Sequence, residues 1–270
     1  MRKLAQAAVW TSVALFILSG LNFATRSQPQ HPTGTAPAPI RPESGAVPEL
    51  AGMLLVQPPA DLPGGLAAQL LAPQGPVQWL FLLLVWIAAA AYSLRLSGWI
   101  ARPQGHRGTL RPRSHEPPFH EPTALSIGLL MGAIWPWVIW RHPPTGMALA
   151  LIGFVAVMSP LLRRGGKGVS VSLGVLAGWI TVVTCAAFAT FLDLNLGTPQ
   201  TLSALIALLF CALAALAAQL RIGAPFAYSA TMILGLLGIA AATMGVNPMI
   251  AMATTIALSV VAATLIRVAT

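Results

Sequence analysis

The side chains able to do chemistry are few, and where they stand says more than what they are. The five histidines, His31, His106, His115, His120 and His142, all fall in polar or proline-rich stretches or at their edges. His115 to Pro122 reads HEPPFHEP, whose imidazoles and carboxylates are donor types a metal site uses. Pro117 and Pro118 forbid the helical i, i+4 register that would set two ligands on one face, and no fourth strong donor is near. A solvated basic loop is the expectation there, with no metal. Cys185 and Cys211 lie in separate apolar blocks, offer neither a disulfide framework nor a CxxC pair, and are expected to act as small packing residues.

The charged groups that drive membrane chemistry are missing from the apolar blocks. Arg141 and Asp193 fall at block ends, and no Lys, Arg, Asp or Glu sits centrally. Proton relays, ion-coupled transport and voltage sensing are built from such groups, and a retinal Schiff base needs a buried lysine. With no paired carboxylates, no positioned base, no P-loop and no dinucleotide fingerprint, an enzyme is not expected and the catalytic set is empty.

The elements that carry these residues are read from hydrophobicity. Of 270 residues, 56% are hydrophobic and only 8% charged, too few charges to cover a soluble fold. Apolar blocks near 4–24, 78–98, 123–140, 146–162, 169–192, 201–220, 226–244 and 248–266 are each about long enough to cross a hydrocarbon core of roughly 30 Å. The expected fold is therefore all-α, a polytopic transmembrane bundle of eight spans, or seven if the first is a cleaved signal.

Orientation follows from the loops. With the N-terminus inside, Arg2, Lys3, Arg95, Arg102, Arg107, Arg111, Arg113, Arg163, Arg164, Lys167, Arg221 and Arg267 face the cytoplasm, and only Arg26, Arg41 and Arg141 face out. That asymmetry obeys the positive-inside rule and places both termini in the cytoplasm. The net charge of +9 is thus a topology and lipid signal, and no nucleic-acid partner is expected.

Met1-Arg2-Lys3 before an apolar run also resembles a signal peptide, but the run is long for one and Asn22-Phe23-Ala24 is a poor cleavage site, so a retained helix is favoured. Four regions result: a first helix or signal at 1–24; a segment at 25–77 with eleven prolines from Pro29 to Pro76; Trp-bearing helices at 78–192; and an aromatic-poor three-helix extension at 193–270. The first half of the proline-rich segment is expected to be flexible. Leu50 to Val56 and Leu62 to Ala72 are apolar enough to lie on the membrane surface or to fold over the helix ends as a lid.

All eight tryptophans lie in the first 180 residues. Trp79, Trp99 and Trp140 stand near span ends and fit an interfacial belt. Trp86, Trp135, Trp137 and Trp179 stand deeper, where an indole needs a packing niche or a ligand. Gly128 with Gly132, and Gly174 with Gly178, have small-xxx-small spacing, which serves packing within one chain or a homodimer seam. Thr181, Thr184, Ser229, Thr231, Thr254, Thr255 and Ser259 can all bond back to their own helix carbonyls.

These tryptophans carry a resemblance. Leu176-Ala177-Gly178-Trp179-Ile180-Thr181 resembles the fifth-helix Trp motif of the tryptophan-rich sensory proteins (TspO/MBR, translocator-protein-like), and Gly132-Ala133-Ile134-Trp135-Pro136-Trp137 resembles that family's third helix. Trp79 and Trp86 sit where the family places tryptophans in its second helix, and the last three spans are similar to the extra C-terminal helices of longer bacterial members. Two features depart from the pattern: the helix-two entry reads Gly75-Pro76-Val77-Gln78-Trp79, and the family's helix-three Asn is absent.

The resemblance implies a pocket among the first five helices for a porphyrin, another tetrapyrrole or a different flat hydrophobic ligand, with no cofactor required. The leading expectation is a TspO-like binding or regulatory protein of the bacterial plasma membrane, with Trp86, Trp135, Trp137 and Trp179 on the ligand and residues 50–72 over the mouth. The alternatives are an accessory or assembly subunit of a larger membrane complex and a carrier of a neutral apolar compound. The expected partners are the lipid bilayer, a hydrophobic small molecule, and a second copy or larger complex.

Overall fold

Prolines and caps set where the helices begin. In the computed structural model, α3 (Pro76–Ser97), α5 (Pro143–Arg164) and α9 (Pro248–Ala269) open on a proline, and α7 (Gln200–Ala217) and α8 (Phe226–Thr243) directly follow Pro199 and Pro225. The first turn of a helix has no use for the missing N–H, and proline's fixed φ suits it. Ser170 caps α6 (Val171–Leu196) by accepting from Leu173 N at 3.2 Å, and Asn247 caps α9 by accepting from Ile250 N at 3.2 Å. Gly197, in the left-handed region at φ 64°, closes α6 with its N–H on Asp193 O, which carries this helix to Leu196, beyond the expected end at residue 192.

The remaining elements are α1 (Arg2–Arg26), α2 (Gly65–Leu71), α4 (His120–Val138) and a π turn, Ala218–Ile222, that continues α7. The described residues are 2–26, 65–71, 73, 75–97, 120–164, 169–223 and 225–269, and among them no strand occurs. His31, His106, His115, Trp99, the segment Leu50 to Val56 and most of the inner basic loop lie outside the described residues, as does HEPPFHEP up to the residues that open α4.

Among the described residues seven helices are long and apolar enough to cross a membrane, and the eighth, within α4, is a shorter apolar helix, Pro122–Val138. At about 1.5 Å per residue that stretch spans roughly 25 Å, and the bonds from Ile139 N to Trp135 O and His142 N to Val138 O add a last irregular turn. Side-chain contacts fix the directions. Phe16 of α1 meets Trp179 of α6, Phe23 of α1 stacks on Trp140 after α4, and Gly178 of α6 abuts Tyr228 of α8, so α1, α4, α6 and α8 run parallel. Between α4 and α5 the contacts Gly146 to Ile139 and Gly128 to Val157 run in opposite sense, as do Gly153 to Ile180 between α5 and α6 and Gly235 to Phe81 between α8 and α3. Asn247 at the start of α9 bonds Thr201 at the start of α7, so those two are parallel. The eight long helices therefore alternate in direction, and the start of α1 and the end of α9 share one end of the bundle.

The helix α6 is the hub, touching α2, α3, α5, α7 and α8. Its membrane-length window is 78% buried, against 28% for α1 and 33% for α9 at the periphery. The outer faces of the bundle present Leu83, Ile87, Val155, Leu209 and Ile256 as exposed apolar side chains, which water would not tolerate over so large an area and hydrocarbon does. The chain is a multi-pass α-helical membrane protein.

The segment expected as a lid does more than lie across the bundle. Residues 65–71 form α2, in which Gly65, Leu66, Ala67, Gln69, Leu70 and Leu71 are all buried. This helix packs mainly on α6 and α8, beside the α6–α7 turn where Gly65 approaches Gln200 and Thr190. Gln78 at the start of α3 ties it down, with Nε2 donating to Gln69 O at 2.8 Å and reaching Gly238 O of α8 at 3.5 Å. Its Oε1 accepts from Gly75 N at 3.0 Å, so a single amide holds the turn, α2 and α8 together.

Candidate functional site

The aromatic residues singled out in the sequence gather around the second half of α1. Phe16 lies edge-on to Trp179 with centroids 5.0 Å apart. The same indole fills the space Gly132 leaves, since a Cβ there would stand 3.0 Å from Trp179 Cη2. One turn on, Gly20 plays the same part for Trp86, whose Nε1 would lie 3.1 Å from an added Cβ. Phe23 ends the series, edge-on to Trp137 at 5.5 Å and stacked on Trp140 at 5.4 Å. Aromatic pairs at such separations and angles contribute beyond the area they bury.

A polar thread runs through this seam. Trp137 Nε1 donates to Ser19 Oγ at 2.8 Å, and Ser19 Oγ donates to Ala133 O at 2.6 Å. Pro136 lies inside α4 and brings no N–H to the turn before it, where hydrocarbon supplies no replacement donor. The Ser19 hydroxyl of α1 supplies one beside that break. The hydroxyl and the glycines explain why α1 docks on α4 and α3 although its own polar and apolar positions show little periodicity.

The four deep tryptophans differ in exposure. Trp86, Trp135 and Trp179 are 8%, 1% and 4% exposed, each enclosed by the chain itself, whereas Trp137 is 41% exposed. Trp135 is buried with its Nε1 bound to nothing. Burying an indole N–H without an acceptor costs on the order of 1–3 kcal/mol. The structure thus brings Trp86, Trp137 and Trp179 to one helix, α1, and records no ring contact for Trp135.

The glycine pairs pack within the chain. Gly128 takes Val157 of α5 and Gly132 takes Trp179, while Gly174 and Gly178 take Pro225 and Tyr228 of α8. The approach at Gly178 is the tightest, an added Cβ falling 2.5 Å from the Tyr228 carbonyl oxygen. Of the seven hydroxyl residues expected to bond back along their helices, Thr181, Thr184, Thr231, Thr254, Thr255 and Ser259 do so. Ser229 differs: its Oγ accepts from Gln219 Nε2. The π turn places Gln219 inward from the end of α7, and its Oε1 is left buried and unpaired. Nothing in the composition of AQLRI signals a π turn, so this contact was not readable beforehand.

Among the described residues no group of three His, Cys, Asp or Glu side chains could hold a metal ion. No family model, curated protein or solved structure matches the chain.

Proposed function

We propose that this is a non-catalytic binding protein of the plasma membrane, TspO-like in its Trp-bearing helices, that takes a porphyrin or another flat apolar ligand against the seam between α1 and α4. The observation that carries the reading is Trp137: its ring is 41% exposed while its Nε1 is already bonded to Ser19, so an oriented aromatic face stands open at the side of the bundle. Phe23 and Trp140 extend that face. Trp86 and Trp179 hold α1 in place beneath it.

The ligand would arrive from the bilayer, since a face open laterally needs no aqueous mouth. The alternating helix directions place Arg26 and Arg141 at the same end, in keeping with an N-terminus in the cytoplasm. The non-catalytic reading rests on the lack of ionisable groups at the centres of the spans.

Titration of protoporphyrin into the full chain in lipid nanodiscs tests the site through tryptophan fluorescence. Saturable quenching is expected to vanish in Trp137→Ala and Phe23→Ala and to persist in Trp10→Phe, where an exposed indole elsewhere on α1 is removed. Equal quenching in all variants would overturn the site. One observation favours a second reading, an accessory subunit: Trp86, Trp135 and Trp179 already spend their faces on packing, and the outer ledge also suits a partner's helix. A stoichiometric protein partner released by Trp137→Ala would select it.

A further inference from the structure

The sequence keeps its two cysteines in different helices, and the fold brings them together. Cys185 of α6 and Cys211 of α7 are both free thiols, and both line one void of about 10 Å³. Leu66 of α2, Val182 of α6, and Leu236 and Ile239 of α8 build the rest of the wall. The expectation that these cysteines act as separate packing residues leaves their pairing out.

We propose that Cys185 and Cys211 form a binding site for one soft divalent metal ion of the mercuric class, held between their two sulfurs. Three observations choose that class. The sulfurs are the strong donors on an otherwise apolar wall, which suits a thiophilic ion content with two ligands and rejects hard ions that need several oxygens. The void is about the size of a single water, room for one atom between the sulfurs. Charge decides the valence: residues 171–192, 200–217 and 226–243, with α2, contain no Lys, Arg, Asp or Glu. Two thiolates around a monovalent ion would leave a net negative charge with no counter-ion, which an apolar interior penalises heavily, whereas two thiolates around a divalent ion sum to zero.

Loading balances without electron transfer. A neutral metal dichloride enters, two S–H bonds and two metal–chloride bonds break, two sulfur–metal bonds form, and two protons and two chlorides leave to water. The product is as neutral as the reactants, so the site neither gains nor loses charge in the membrane.

The experiment is a titration of the purified full chain in nanodiscs with mercuric chloride, followed by sulfur-to-metal charge-transfer absorbance and by metal analysis after washing with excess glutathione. One equivalent is expected to remain bound, with both thiols then protected from a maleimide. Cys185→Ser and Cys211→Ser, whose hydroxyls can bond back along their helices, are each expected to lower the affinity by more than about 100-fold, beyond the effect of losing an outer-shell partner. Two equivalents on the wild-type chain, one per thiol, or single variants that keep the ion against glutathione, would overturn the proposal. The stoichiometry of the wild-type chain decides it even if a variant fails to fold.

Discussion

The two sides of α6 are packed by opposite devices. Toward α1 and α4, bulky rings reach into gaps left by glycines: Trp179 over Gly132, and nearby Trp86 over Gly20. Toward α8, Gly174 and Gly178 let one helix come against the backbone of the next, within 2.5 Å of the Tyr228 carbonyl for a would-be Cβ, and the Tyr228 hydroxyl lies 3.3 Å from Thr181 Oγ1 of α6. A seam of side chains can adjust by rotamer and small ring shifts, while a seam of backbones cannot yield without moving a whole helix. The aromatic side is therefore where binding would be accommodated, and the glycine side is a fixed frame.

The strongest way to break this contrast is Trp179→Ala, which removes the ring joining α1, α4 and α6. A loss of about 3–5 kcal/mol is expected, measured as unfolding in lipid or mild detergent, together with easier release of α1. A smaller loss would show that α1 is held chiefly by the Ser19 thread. Next comes a paired comparison. Gly178→Ala is expected to cost about 2–3 kcal/mol, because the new methyl meets the Tyr228 backbone, and Gly20→Ala about 1 kcal/mol, because it meets a ring that can shift by a few tenths of an ångström. Equal costs would erase the distinction between the two sides. The smallest effect belongs to Ser19→Ala, about 0.6 kcal/mol, the average for hydrogen bonds between membrane helices. It should also move the emission of Trp137, whose N–H loses its acceptor, and an unmoved spectrum would remove the polar thread from the account.

Much of the bundle was legible because hydrocarbon imposes a length. Seven of the eight apolar blocks became helices of membrane-crossing length and the third a shorter apolar helix, with Pro76, Pro143 and Pro248 marking three of the starts. The positions of Trp86, Trp135, Trp137 and Trp179 along the chain were also readable, although Trp135 and Trp137 fall in the last turn of α4, not deep in it. Their direction was not, since a helix apolar all round gives no period to separate Trp137, which faces out, from Trp135, which faces in. Helix α2 escaped for a different reason: seven residues are too few for a span, and what buries them is contributed by helices far along the chain. The pairing of Cys185 with Cys211, and of Gln219 with Ser229, depends on how helices rotate against one another, which composition leaves open.

The position of α2 also constrains how the protein is made. Leu66 is synthesised early, yet its resting place is walled by Val182, Ala207, Leu236 and Ile239, and the amide that clasps it reaches across 160 residues from Gln78 to Gly238. Until α8 has emerged and inserted, this short helix has only the part of its berth that α6 and α7 supply. Its docking is thus a late, long-range event that follows the insertion of all but the last span, and it closes the bundle the way a keystone closes an arch. A chain halted before α8 would carry α1, α3 and the tryptophans in place and leave the α8-facing side of α2 uncovered, a state that quality-control proteases recognise by its exposed apolar surface.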